Sequence, residues 1–156
     1  MDVQIVELEP VRAAAVRGEV GYDGLPTFFG HAFTEVFAAA ERAGVAVVGP
    51  PFGFYPAMPS ETAVVVEAGF PLAQALQAEG EVHPFELPGG TAAVTMHVGP
   101  YDTLAETYTR LMGWMSAHGY IPGEGMWESY LSDPGAEPDP SGWQTQIVWP
   151  VHRPAG

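Results

Sequence analysis

Residues 127–134, WESYLSDP, and residues 52–59, FGFYPAMP, carry a Tyr and a Pro at matching places, 75 positions apart (Tyr55 to Tyr130, Pro59 to Pro134). The segments before them keep that offset. Leu104, Tyr108, Leu111, Met112 and Met115 recur at the i, i+4, i+7, i+8, i+11 spacing of an amphipathic helix, and so do Phe29, Phe33, Val36, Phe37 and Ala40. Both runs stop at a glycine, Ala43-Gly44 and His118-Gly119, where a left-handed residue ends a helix. Further out, VGYDGL (20–25) parallels VGPYDTL (98–104), and ETAVVVEAGFPL (61–72) parallels WQTQIVWPV, aligned on Thr62 with Thr145.

Two copies are too few, and the unit too long, for a solenoid. The spacing predicts a strand–helix–strand–strand unit written twice, roughly over residues 1–78 and 79–156, within one domain. The strands expected around the helices are Val3 to Leu8, Arg12 to Val20, Ala63 to Glu67, a strand within EGEVHPFELPGG (79–90) that runs into a Pro-Gly-Gly turn, TAAVTMHV (91–98), and Gln144 to Val151. One helix per unit among more numerous strands gives the class α+β. Two such units would pair about a pseudo-twofold axis and leave a ligand cleft where they meet.

The composition narrows the function. Acidic residues number 19 against five basic ones, all Arg, for a formal net charge of −14. Nothing here could neutralise a row of phosphates, which excludes nucleic acid as a partner. With no cysteine there is no disulfide, thiolate metal site or thiol nucleophile. The uncharged run 43–60 is broken by Pro50, Pro51, Pro56 and Pro59, so it does not span a membrane. With no signal-type N-terminus, the expected location is cytoplasmic. His31, His83, His97, His118 and His152 form no metal-binding spacing, and there is no phosphate-binding loop or nucleophile elbow. No cofactor is expected.

The second half, ELPGGTAAVTMHVGPYDTLAETYTRLMGWMSAHGY followed by GMWESYLSDP and TQIVWPV, resembles the GyrI-like family, also called the AraC-type effector-binding domain. That resemblance implies a tandem duplication of a β-α-β-β unit whose inter-repeat cleft takes drug-like, often cationic and aromatic, molecules. It implies a pocket acid in a Glu-x-Tyr element, matched here by Glu128-Ser129-Tyr130. Some members of the family are fused to DNA-binding domains. No helix-turn-helix is visible in this sequence, so the expectation is a drug-sensing or sequestering role without direct DNA contact. A subset of stand-alone members hydrolyses strained cyclopropane-containing alkylating agents, which supplies an alternative.

On a strand, residues 126, 128 and 130 share one face and 127, 129 and 131 the other. The residues are Met, Glu, Tyr against Trp, Ser, Leu, so neither face is plainly the wet one. Glu128 is then either a solvated strand glutamate or a pocket acid. Its counterpart in the first copy is Gly53, which fits either specialisation of one side or drift at an exposed site. A buried carboxylate among rings has its pKa raised unless a cation arrives, so it would prefer flat cations or act as a general base. The candidate ligand-binding residues are Glu128, Tyr130, Tyr55, Tyr108, Trp127, Phe52 and Phe54. In the enzyme alternative, Glu128 is the base and Tyr130 the proton donor. A protein partner docked on the acidic surface, or a homodimer, is a third reading.

Overall fold

The computed structural model describes residues 2–56, 62–100, 103–123, 125–131 and 139–153. Pro59, Pro134, Tyr101 and Asp102, which the sequence comparison uses, lie outside them. Among the described residues, nine strands and two α-helices follow in the order β1 (Val3–Leu8), β2 (Val11–Gly21), α1 (Leu25–Ala43), β3 (Phe52–Tyr55), β4 (Ala63–Pro71), β5 (Val82–Leu87), β6 (Gly90–Val98), α2 (Leu104–Ala117), β7 (Ile121–Pro122), β8 (Met126–Tyr130) and β9 (Gln144–His152). All strand pairs are antiparallel, in the order β1-β6-β9-β8-β3-β4-β2-β5, with the short β7 paired to β9. The fold is therefore mixed α+β with one large antiparallel sheet.

The ends of this sheet are tied together. β1 pairs with β6 and β2 with β5 in a single register that continues across the break, from Leu8↔Gly90 to Val11↔Leu87. The bent ribbon they form therefore belongs to both ends of the strand order, and the sheet must curl. Phe85 on β5 lies 5.9 Å from Phe52 and 5.3 Å from Phe54 on β3, centroid to centroid. A flat sheet would hold strands three positions apart at about 14 Å. The inner face of the curl is a core of Phe52, Trp127, Leu87, Val148 and Ala13, built without any helix.

Two glycines allow this shape. A Cβ on Gly69 would lie 1.8 Å from the carbonyl oxygen of Ala14, so β4 and β2 come together too closely for any side chain there. A Cβ on Gly89 would lie 2.7 Å from Cδ of Pro10, where the β5–β6 connection passes the β1–β2 connection. The Pro-Gly-Gly turn thus does not form a hairpin: the strands flanking it pair elsewhere. Sequence shows a turn there but not which partners its strands find.

Both helices lie on the outer face. α1 carries Pro26 in its first turn and ends at Gly44, whose φ of 71° lets its N–H reach the carbonyls of Ala40 and Glu41. Its buried stripe is Ala32, Val36, Ala39 and Ala40, small residues that bring the helix close to the sheet. The expected stripe is rotated: Phe29 and Phe33 are only partly buried, and Phe37 is 47% exposed. α2 buries Thr107, Leu111 and Met115. No helix among the described residues is long and apolar enough to cross a membrane.

Gly53 of β3 pairs with Glu128 of β8, with Ala68 of β4 opposite Gly53 on its other side and Ile147 of β9 opposite Glu128 on its other side.

Candidate functional site

β3 and β8 meet side by side at the middle of the strand order, with Gly53 directly opposite Glu128. Glu128 points to the helix-bearing face with Met126 and Tyr130 and is only 6% exposed. Two phenols hold it. Tyr108 of α2 donates its hydroxyl proton to Oε2, and Tyr130 donates to Oε1 at 2.8 Å. Tyr55 of β3 packs partly buried in the same cluster, where the Glu128 charge bears on its hydroxyl.

Aromatic walls surround this group. Phe29 meets the Tyr130 ring edge-on at 5.6 Å, Phe33 lies 6.3 Å from it, and Trp149 meets Tyr108 at 6.0 Å. A Cβ on Gly53 would sit 2.9 Å from both Phe29 and the Tyr130 hydroxyl, so the missing side chain is what admits them.

Burial pushes the Glu128 carboxyl above its ordinary range, against the opposing effects of the Tyr108 and Tyr130 bonds and of nearby His97. Burial, and then the Glu128 charge, raises Tyr55, Tyr108 and Tyr130 above the usual phenol value, so all three keep their protons, and Tyr108 and Tyr130 donate theirs to Glu128. Among the described residues Glu128 makes no ion pair. Arg12, Arg17, Arg42 and Arg153 are engaged elsewhere, with Ala73, Glu67, Glu79 and Tyr120. Glu67 provides the contrast: it is equally buried on the inner face, yet His83 at 2.6 Å and Arg17 at 3.7 Å partner it. Among the described residues Glu128 is a buried acid with hydrogen bonds but no ion-pair partner, which is expensive unless a proton or a cation completes it.

The structure thus gathers four of the seven expected residues: Glu128, Tyr130, Tyr55 and Tyr108. Trp127, Phe52 and Phe54 pack on the inner face with Phe85, on the other side of the sheet. Strand alternation requires this, since 127 and 128 point to opposite faces. Phe29 and Phe33 read in sequence as core. The 75-residue offset could have found Phe33, because it is the counterpart of Tyr108. No sequence signal pointed to His97.

A groove of about 530 Å³ runs past His97, Thr107, Arg110 and Asp2, and another of about 680 Å³ past Val11, Ala75 and Phe85; Glu128 lines neither. The hydroxyls of Tyr108 and Tyr130 each bond one oxygen of the carboxylate. No cluster of metal-binding side chains occurs among the described residues.

The molecule is a curled antiparallel sheet with two helices on its outer face and a buried acid among tyrosines. The chain belongs to the GyrI-like small molecule binding domain family, matching it over residues 1–152. Among solved structures, the EcmrR C-terminal domain is similar at 23% identity and a TM-score of 0.85, covering 98% of both chains. The chain also matches EcmrR in its complex with DNA, at 22% identity and a TM-score of 0.82, over 98% of this chain but only 58% of the EcmrR chain. SAV2435 bound to tetraphenylphosphonium is similar at 10% identity and a TM-score of 0.65, over 97% of this chain and 94% of that one. At such identities these likenesses concern the fold alone. Among curated protein sequences, none matches this chain.

Proposed function

We propose that this domain binds an amphipathic organic cation with aromatic substituents on the helix-bearing face where β3 meets β8, with Glu128 as its anchor. The observation that carries this reading is the buried carboxylate held by two phenols, with no ion-pair partner among the described residues. A cation of low hydration supplies the missing charge, and Phe29, Phe33, Tyr130 and Trp149 offer ring faces worth roughly 0.5–2 kcal/mol each in cation–π attraction. Tetraphenylphosphonium, the ligand bound to SAV2435, has this chemistry. The role would be drug sensing or sequestration.

A tandem duplication underlies the site in this reading. The strand order is symmetric about the β3–β8 pair, and Gly53 and Glu128, related by the sequence offset, face each other across it. The cleft is then the junction of the repeats, specialised by an acid on one side and a space on the other.

The test is a titration with tetraphenylphosphonium and with neutral triphenylphosphine oxide, followed by the fluorescence of Trp149 against Tyr108. Saturable binding of the cation, preferred over the neutral compound and weakened about a hundredfold in Glu128→Gln, is expected: an ion pair at contact in a partly buried site contributes a few kcal/mol. Equal affinity of wild type and Glu128→Gln for the cation would refute the reading.

The raised carboxyl favours a second reading, hydrolysis of a strained electrophile. Glu128 would take a proton from attacking water while Tyr130 or Tyr108 gives one to the leaving atom. Loss of turnover in Glu128→Gln, with binding of the neutral electrophile retained, would select it.

A further inference from the structure

We propose that Thr145 is a ligand contact that selects cations carrying a hydrogen-bonding substituent, a hydroxyl or carbonyl on the aromatic body. Thr145 is 0% exposed, and among the described residues its Oγ1 has no hydrogen-bond partner. Buried hydroxyls are ordinarily paired, and valine would fill the same volume without leaving one unmet.

Its position gives the unpaired hydroxyl a meaning. Thr145 stands directly opposite Tyr130 on one side and His97 on the other, so it shares the helix-bearing face with Glu128. It lies one strand across and two residues along from Glu128, about 8 Å away by ordinary strand spacings. Its neighbours are already committed. Tyr130 gives its proton to Glu128, and His97 is bonded through Nδ1 to Thr107 and through Nε2 to the carbonyl of Pro100. Among the described residues neither bonds Thr145, so its hydroxyl can donate to or accept from a ligand.

A ligand that displaces the Tyr130 hydroxyl to reach Glu128 also uncovers the neighbouring Thr145. Its charge then sits at Glu128 while a polar substituent one ring away reaches Oγ1. The assignment rests on the cation-binding reading above and adds the polar half of the recognition.

The test compares two size-matched phosphonium cations, (3-hydroxyphenyl)triphenylphosphonium and (3-methylphenyl)triphenylphosphonium, by calorimetric titration. Wild type should prefer the hydroxyl compound about tenfold. Thr145→Val should abolish that preference and leave the methyl compound within about twofold of wild type, while Thr145→Ser retains it. An unchanged or raised melting temperature for Thr145→Val shows that it has folded. Equal binding of the two cations by wild type, or a preference that survives in Thr145→Val, overturns the Thr145 assignment even if Glu128 is required for both. If neither cation binds, the cation reading fails and the Thr145 assignment falls with it.

Discussion

Replacing Tyr108 by Phe removes a single hydroxyl and leaves the ring against Trp149 in place. That hydroxyl donates to a carboxylate that is 6% exposed and also accepts from Tyr130. A hydrogen bond to a buried charge contributes about 1.5–3 kcal/mol, more than a neutral pair. In a chain of this length about 2 kcal/mol corresponds to a fall of roughly 4–8 °C in melting temperature. Only part of that loss should remain in a Glu128→Gln background, where Tyr108 donates to a neutral amide oxygen at about 1 kcal/mol. The double-mutant coupling is then about 1 kcal/mol. The cost should also depend on pH, because Tyr108 opposes the rise of the Glu128 carboxyl and its bond weakens once that carboxyl is protonated. Urea denaturation of the four variants, run near neutrality and again in mild acid, measures both effects. A Tyr108→Phe cost that is the same in the Glu128→Gln background as in wild type, and the same at both pH values, would refute the charged, phenol-held site.

Three further outcomes are expected. The Glu128 carboxyl titrates above its ordinary value of 4.5 in the folded chain, so the unliganded domain should gain stability as pH falls through that raised value and lose it as pH rises again. A cation requires the ionised form, so its affinity should move the opposite way, falling up to about tenfold per pH unit below that point, and Glu128→Gln should flatten both profiles. Gly69→Ala would place a methyl 1.8 Å from the Ala14 carbonyl, so loss of the cooperative fold is expected, by circular dichroism and thermal melting; a melting temperature near wild type would refute the tight β4–β2 approach.

Pattern along the chain was enough for the class, both helix stops and most strand positions, and it singled out Glu128 as a candidate. Those features are local: a period of 3.6 or 2, a glycine after a helix, a repeat offset. Tyr55, Tyr108 and Tyr130 were legible for the same reason, since each sits at a fixed step from the repeated motif. Strand pairing was not. β1 joins β6 and β5 joins β2, a choice that lies between distant segments and leaves no periodic trace in either. Nor was the split of WESY, with Trp127 turned into the curl and Glu128 toward the helices, because which face is dry depends on what packs against it. Phe29, Phe33, His97 and Thr145 became site neighbours only when the ladders set them beside Tyr130 and Glu128. An unpaired hydroxyl and an uncompensated carboxylate exist only once a fold has excluded water from them.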